Sequence, residues 1–338
     1  MHAYVLQSVN QLCYKEIDKP SCPRGWAIIR VKAAGICSSD IDRIFYKGTY
    51  HFPTIPGHEF SGIVESVGDE KDNSLIGKRV GIFPLIPCKE CSQCKDKHYE
   101  MCINYDYLGS RRDGGFAELV AVPIWNLIEI PESMPFVIAA MLEPISVARH
   151  AIECGKIEKG NSVGIIGSGM IAISAAQWAY AMGAKDVTII GRTDSKRKLI
   201  ENCGINYLVC NDADHVNQFD MVLEAVGSQE AINMAINAAA SGSKIVLMGN
   251  PTGNIVLPQN TYWRILRKQL SVYGTWNSQY DGKNPSDWTA TINSITAGDI
   301  KTNGLISHVF NQENLVDGLK IMKDHTEPYC KIMTIWNK

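Results

Sequence analysis

Three separated stretches carry side chains that bind transition metals: Cys37-Ser38-Ser39-Asp40, Gly57-His58-Glu59-Phe60 and Leu142-Glu143-Pro144-Ile145. They offer a thiolate, an imidazole and carboxylates, with a hydroxyl at Ser39 two residues from the thiolate. That is the donor mix of an open catalytic zinc site. Such a site needs three protein ligands and one exchangeable position, and Cys37, His58 and Glu143 meet the count. Glu59 is then a carboxylate behind the ligands, or an alternative ligand when water exchanges, and Asp40 a group that orients His58. Ser39 is placed to take a substrate hydroxyl proton in a relay. Singly, each residue has a plainer reading: Cys37 as a small buried hydrophobe, His58 as a structural histidine, Glu143 as a carboxylate on a helix N-terminus. Together these plain readings weaken, because Gly57-His58-Glu59 lies in a Pro-Gly turn, where side chains are presented rather than packed.

Cys88, Cys91, Cys94 and Cys102 follow a C-x2-C-x2-C-x7-C spacing inside one Lys-rich loop. Four thiolates so spaced can close a tetrahedral shell without an open position, which makes this a structural zinc site pinning a surface lobe at about 84–106. An iron–sulfur cluster or a redox disulfide pair are the competing readings, and ferredoxin spacings differ. The two clusters together imply two zinc ions per chain.

A short apolar run at 163–166 leads into Gly167-Ser168-Gly169-Met170-Ile171-Ala172, a G-x-G-x-x-A pattern at a strand-to-helix turn. Its glycines let backbone approach a pyrophosphate, and the following helix N-terminus, from Met170 and Ile171, takes the charge. The second strand ends at Ile189-Ile190-Gly191-Arg192. Where an acidic residue would hold the ribose 2′-hydroxyl of NAD, this chain has Gly191. A missing carboxylate removes repulsion of a 2′-phosphate, and Arg192, with Lys196 or Arg197 one turn later, can pair with it. The expectation is therefore NADP(H) over NAD(H). The competing reading has Asp194 capping the next helix while Lys196, Arg197 and Lys198 form a solvated face.

The elements that must position these groups divide the sequence. Up to about residue 130, short β-like runs at 26–31, 60–67, 79–83 and 115–122, broken by Gly and Pro, predict a compact β-barrel carrying functional loops. Helical spacing follows over 136–151. Strands and helices then alternate: strands at 163–166, 187–190, 221–223, 244–248 and 270–273, with helices at 170–182 and 194–202. Alternation predicts a doubly wound parallel sheet. After the last candidate strand come a polar loop, an amphipathic stretch at 313–323 and a β-like run at 330–336, which rejoin the first domain. The expected division is 1–146 with 274–338 as one discontinuous domain, and 147–273 as the dinucleotide-binding domain.

Composition sets the outer bounds. The chain has 338 residues, 45% hydrophobic and 20% charged, with a net charge of -2. It has no basic footprint for nucleic acid and no apolar run near the roughly 18 residues of a membrane span. Met1-His2-Ala3-Tyr4 lacks a signal-peptide pattern, so a cytoplasmic enzyme is the expectation.

With these residues in view, the whole chain resembles the zinc-dependent medium-chain alcohol dehydrogenases. The shared features are the Cys37 motif, the Gly-His-Glu motif, the four-cysteine lobe and the central dinucleotide-binding sheet. The resemblance implies an α/β protein with a GroES-like β-barrel catalytic domain and a doubly wound Rossmann domain. Glu143, in Glu-Pro-Ile-Ser-Val-Ala-Arg-His, is similar to the polyol and threonine branches. The segment Tyr105-Asp106-Tyr107-Leu108-Gly109-Ser110-Arg111-Arg112-Asp113-Gly114-Gly115-Phe116-Ala117-Glu118, with Arg43-Ile44-Phe45 and Arg264-Ile265-Leu266-Arg267-Lys268, resembles the galactitol-1-phosphate 5-dehydrogenases. The implied reaction is oxidation of a secondary hydroxyl on a sugar-alcohol phosphate to a ketose phosphate. Arg43, Arg111 and Arg112 are the candidates for the substrate phosphate, with Lys47, Tyr50 and His51 behind them. Arabitol or ribitol phosphates, a free polyol, threonine or a simple secondary alcohol are alternative substrates, and a zinc-free nucleotide-binding protein is the alternative from another class. The resemblance also implies a homodimer or homotetramer.

Overall fold

A computed structural model describes residues 1–210, 219–251, 253–282 and 286–337. The chain forms two compact units. The first comprises Met1–Glu143, Gln279–Ile292 and Thr302–Lys338, and the second Pro144–Ser278 and Asn293–Lys301. Asn293–Lys301 groups with the second unit, where Gln177 grips Lys301 through both backbone groups, at 3.1 Å to its carbonyl and 2.6 Å to its amide.

The first unit is built around the strand Trp26–Ile36. Its β-branched and small residues suit a central strand buried on both faces. It pairs antiparallel with Glu59–Val67, Leu119–Pro123 and Lys331–Ile335, within a seven-stranded sheet. Tyr4, Leu6, Ile29, Ile36, Phe60, Phe116 and Trp336 fill the core beneath it. The register sets Gly35 opposite both Glu59 and Met333. Any side chain there would collide: a Cβ on Gly35 would lie 2.5 Å from Glu59 Oε2 and 2.8 Å from Lys331 Cε. Glycine at this point lets two charged side chains meet over the strand.

Several expected elements differ in extent: the strand expected over 26–31 runs on to Ile36, and the one expected over 244–248 begins at Ala239. The strand expected over 115–122 begins at Leu119. The preceding amides of Gly115 and Phe116 are engaged with the carbonyls of Gly57 and Pro56, and the Phe116 carbonyl accepts from Tyr4. The helix expected over 136–151 is two, Phe136–Ala139 and Leu142–Cys154. Pro144 explains the break, since proline is tolerated in a first turn but not in a helix interior. The new start puts Glu143 in the first turn of the second helix.

The second unit carries a six-stranded parallel sheet in the order Asn206–Val209, Asp186–Gly191, Ser162–Ile166, Phe219–Glu224, Ala239–Leu247, Ser271–Gly274. This is the 3-2-1-4-5-6 strand order of a doubly wound dinucleotide fold. The helix Met170–Ala181 follows the first strand. Among the described residues no helix is long and apolar enough to cross a membrane.

Candidate functional site

Ile36 ends the central strand, and Cys37 turns the chain into a short helix, Ser38–Asp42. Asp40 fixes that turn, because its Oδ2 accepts from the Cys37 amide at 3.0 Å. Its other oxygen lies 3.4 Å from Nδ1 of His58, and both side chains are buried. With Nδ1 facing a carboxylate, Nε2 is the ring nitrogen left to bind a metal. One ligand atom each from Cys37, His58 and Glu59 lie within 4.8 Å of one another. A soft thiolate, an imidazole and a carboxylate at this separation fit a zinc ion.

Glu143 stands beside this set rather than inside the same 4.8 Å grouping. Its Oε1 accepts from the Tyr107 hydroxyl at 3.3 Å. Burial, reinforced by the charge of Glu59, pushes its pKa up to about 7, against the pull of His58 and Lys331. Burial acts to lower the His58 pKa, but the charges of Asp40 and Cys37 outweigh it and raise the ring well above its ordinary value. Asp40, despite burial, is held below the usual carboxylate range by His58.

Two residues of the cluster escape a reading of the sequence alone. Lys331, 4% exposed, donates to Glu59 Oε2 and, at 3.1 Å, to the Ile36 carbonyl. Burial lowers its pKa, yet Glu59 and Cys37 keep it raised and charged. Tyr107 is buried with its ring centroid 5.8 Å from that of His58. A lysine inside an otherwise apolar terminal strand, Lys331-Ile332-Met333-Thr334-Ile335, is the signal that could have found the first of them.

Ser39 donates to the Cys37 sulfur at 3.4 Å and accepts from Arg43 Nη1 at 2.9 Å. Arg43 also lies 3.5 Å from Asp40. It therefore adjoins the metal-binding set, not a remote phosphate pocket. Arg111 is stacked between the rings of Tyr50 and Tyr105 at 4.3 Å from each, and donates to Tyr105 O and Tyr50 Oη. These contacts leave it little capacity for a phosphate. Arg112 pairs with Asp106 at 2.5 Å and leaves about half its side chain exposed. Lys47 pairs with Asp42, and His51 bonds to the carbonyls of Pro53 and Arg111.

The four lobe cysteines converge as thiols, none in a disulfide. Their sulfurs are separated by 3.9 Å for Cys88 and Cys94, 4.0 Å for Cys91 and Cys102, and 3.5 Å for Cys102 and Cys88. Zinc–sulfur bonds of about 2.3 Å in a tetrahedron give edges of about 3.8 Å, so the set fits zinc. Backbone amides of Cys94 and Ile103 hold Cys91 down to about 6, and those of Glu90 and Cys91 lower Cys88. Burial pushes Cys94 and Cys102 up.

In the second unit Gly167 adopts φ +116°, and a Cβ added to Gly169 would meet nothing within 4 Å. Gly169 is also the N-cap of the helix Met170–Ala181, whose first amides receive no side-chain cap. An open glycine cradle before uncapped amides fits a dinucleotide pyrophosphate. Gly191 ends its strand, and Arg192 beside it is exposed and, among the described residues, carries no ion pair. Arg197 is engaged within its own helix and strand neighbourhood, with Asp194 at 2.8 Å, Glu201 at 3.2 Å and the Tyr207 carbonyl at 3.0 Å.

Comparison with known proteins agrees with this construction. The alcohol dehydrogenase GroES-like domain model matches residues 23–132, and the zinc-binding dehydrogenase model matches residues 170–297. Galactitol 1-phosphate 5-dehydrogenase of Escherichia coli (strain K12) is 31% identical over 310 residues, covering 89% of this chain and 90% of that one. The crystal structure of galactitol-1-phosphate dehydrogenase from Escherichia coli aligns with TM-score 0.91 at 30% identity, over 99% of this chain and 100% of that one. A short chain alcohol dehydrogenase of E. coli CFT073 complexed with NADH aligns at TM-score 0.89 and 25% identity, over 99% of each chain. A putative zinc-binding dehydrogenase of Sinorhizobium meliloti 1021 bound to NADP aligns at TM-score 0.88 and 26% identity, over 99% of this chain and 98% of that one. The chain belongs to the zinc-dependent medium-chain alcohol dehydrogenases, in their polyol branch, an oxidoreductase family that joins a GroES-like domain to a Rossmann domain.

Proposed function

We propose that this protein oxidises the secondary hydroxyl of a sugar-alcohol phosphate of the galactitol 1-phosphate kind to the ketose phosphate, using NADP(H) in preference to NAD(H). The observation that carries the dehydrogenase chemistry is the convergence of Cys37 with buried His58 and Glu59, flanked by Glu143 and Lys331. In this reading Cys37, His58 and Glu143 hold a catalytic zinc, and Cys88, Cys91, Cys94 and Cys102 hold a structural one. Bound zinc supplies the acidity that lowers the substrate hydroxyl's pKa, and the nicotinamide supplies the hydride acceptor.

The chain's own residues position and deprotonate. Asp40 orients His58, and Lys331 neutralises Glu59 so that a second carboxylate can sit beside Glu143. Ser39 donates to Cys37 and accepts from Arg43, which leaves one lone pair on its oxygen to accept a hydrogen bond from the substrate hydroxyl; as it takes that proton, its own hydrogen must turn from Cys37 and leave to water. Gly167, Gly169 and the first helical residues Met170 and Ile171 cradle the pyrophosphate. Gly191 and Arg192 favour the 2′-phosphate, with Lys196 near, whereas the contacts of Arg197 support that role less.

The phosphorylated substrate is supported by the 31% identity to a galactitol 1-phosphate 5-dehydrogenase. Arg112 is its proposed anchor, while Arg43 stays beside the metal-binding set. A free polyol is the second reading, favoured by the engagement of Arg111 and Arg112 with their own chain. We place the enzyme in the cytoplasm as a homo-oligomer. The edge strand Ser271–Gly274 with exposed Val272, and the helix Gln259–Arg267 with exposed Tyr262, Trp263 and Leu266, support self-association.

A matrix of phosphorylated and free polyols against NAD and NADP, with zinc measured on the same sample, tests the proposal. Two zinc ions per chain and the highest kcat/KM for a phosphorylated polyol with NADP are expected. Equal turnover of phosphorylated and free forms would transfer the reading to the free polyol. A fully zinc-loaded protein that turns over none of them would remove it.

A further inference from the structure

The end of the second strand in the dinucleotide-binding unit is closed by an aromatic side chain from the neighbouring strand. Tyr207 lies on Asn206–Val209, paired in register with Ile189 of Asp186–Gly191, and is 4% exposed. Its hydroxyl donates to the Thr193 carbonyl at 2.5 Å. Arg197 stacks over its ring at 5.2 Å and donates to its carbonyl. A Cβ built on Gly191 would overlap that hydroxyl and lie 2.7 and 2.9 Å from Tyr207 Cζ and Cε2. Gly191 is not among the positive-φ glycines, so its backbone would accept other residues. Space alone demands glycine.

In dinucleotide folds the carboxylate that holds the ribose 2′-hydroxyl of NAD stands at the end of this strand. We infer that Tyr207 is a specificity-determining residue: its anchored hydroxyl fills the space that such a side chain would need, makes glycine obligatory at 191, and leaves discrimination at the ribose 2′ position to Arg192. The inference rests on dinucleotide binding at Gly167–Gly169, as proposed above, but not on which dinucleotide wild type prefers. Tyr207 cannot simply swing aside, because moving it breaks its bond to Thr193 and its stacking with Arg197. An acid introduced at 191 can therefore act only once Tyr207 is removed.

The test is calorimetric binding of NAD and NADP to the full chain as wild type, Gly191→Asp, Tyr207→Ala and the double variant, with thermal melting as a control for folding. Gly191→Asp alone should weaken both dinucleotides without moving their affinity ratio. The double variant should shift the ratio toward NAD by about tenfold or more relative to Tyr207→Ala, the effect of one hydrogen bond to a charged group gained and one phosphate repelled. A folded Gly191→Asp protein that switches to NAD with Tyr207 in place would overturn the inference, as would a double variant with the ratio of Tyr207→Ala. If Gly191→Asp does not fold, Gly191→Ala decides: it should lower the melting temperature when Tyr207 is present and not in the Tyr207→Ala background, and an equal drop in both would overturn the inference. Wild-type preference for NAD would sink the NADP proposal and leave this contrast intact.

Discussion

Lys331 donates its ammonium to Oε2 of Glu59 across the face of Gly35, and neither side chain is more than 5% exposed. Removing one partner of a buried pair strands the other charge, which typically costs about 3–5 kcal/mol. Lys331→Met should therefore lower stability in denaturant titration by about that amount. Combining it with Glu59→Gln should recover much of the loss, because no bare charge remains. A Lys331→Met single variant as stable as wild type would show that the Lys331–Glu59 contact does not stabilise the fold.

Glu143 supplies a pH dependence with a definite sign. Burial raises its folded pKa from 4.5 to about 7, so between these values the folded chain keeps a proton that the unfolded chain has released. The stability this group contributes is complete below pH 4.5 and is lost as pH rises through about 7. In chelator-treated protein, the melting temperature of wild type should fall across this window relative to Glu143→Gln. Glu143→Gln removes this carboxyl's titration, so the difference reports Glu143 together with its pull on His58. Zinc reverses the trend, since a ligating carboxylate must be ionised, and zinc affinity should climb over the same range. Parallel melting curves for the two proteins would contradict this assignment.

Much of this architecture is legible in the sequence, for identifiable reasons. The glycine loop and the cysteine lobe are local: their geometry is carried by spacing within a few residues. The strands Ser162–Ile166 and Asp186–Gly191 are short apolar runs between turn signals, which is how buried parallel strands read. Asn206–Val209 does not stand out, because four residues beginning with asparagine give too little pattern. The helices Gln229–Ala238 and Gln259–Arg267 are hidden because, at 10 and 9 residues, they add only about two to three turns between clearer strands. At the site, Lys331 stands 272 positions from Glu59, and only the pairing of both strands with Trp26–Ile36 joins them. Tyr207 and Gly191 meet by the same kind of register, which no spacing rule contains. The arginines are harder to read from sequence for another reason. Their residue type suits phosphate, but the rings of Tyr50 and Tyr105 and the carboxylate of Asp106 are equally good partners and already at hand.

The cysteine lobe makes a stoichiometric prediction. Cys94 is buried among the four thiols, and replacing it leaves a three-sulfur site that cannot close the tetrahedron. Cys94→Ser should reduce the two zinc ions per chain proposed above to one, measured by elemental analysis after gel filtration, and lower the melting temperature. Cys37→Ser should also remove one zinc, but it should abolish turnover while leaving the lobe metal in place. Retention of two zinc ions in Cys94→Ser would place the second ion elsewhere.

Arg112 and Arg43 separate two roles that a phosphate anchor and a site neighbour would play. Arg112 is half-exposed with one carboxylate partner, whereas Arg43 touches Ser39 and Asp40 beside the metal-binding set. A hydrogen bond to a charged group is worth about 1.5–3 kcal/mol, or roughly 10- to 100-fold in affinity. Arg112→Ala should raise KM for the phosphorylated polyol within that range, leave kcat nearly unchanged, and leave KM for the free polyol untouched. Arg43→Ala should lower kcat for both substrates as well, because Ser39 loses the donor that holds its hydroxyl in place. Steady-state kinetics on the paired substrates reads all four numbers. If Arg112→Ala leaves the phosphorylated substrate's KM where it was, the phosphate is held by other groups or the substrate carries none.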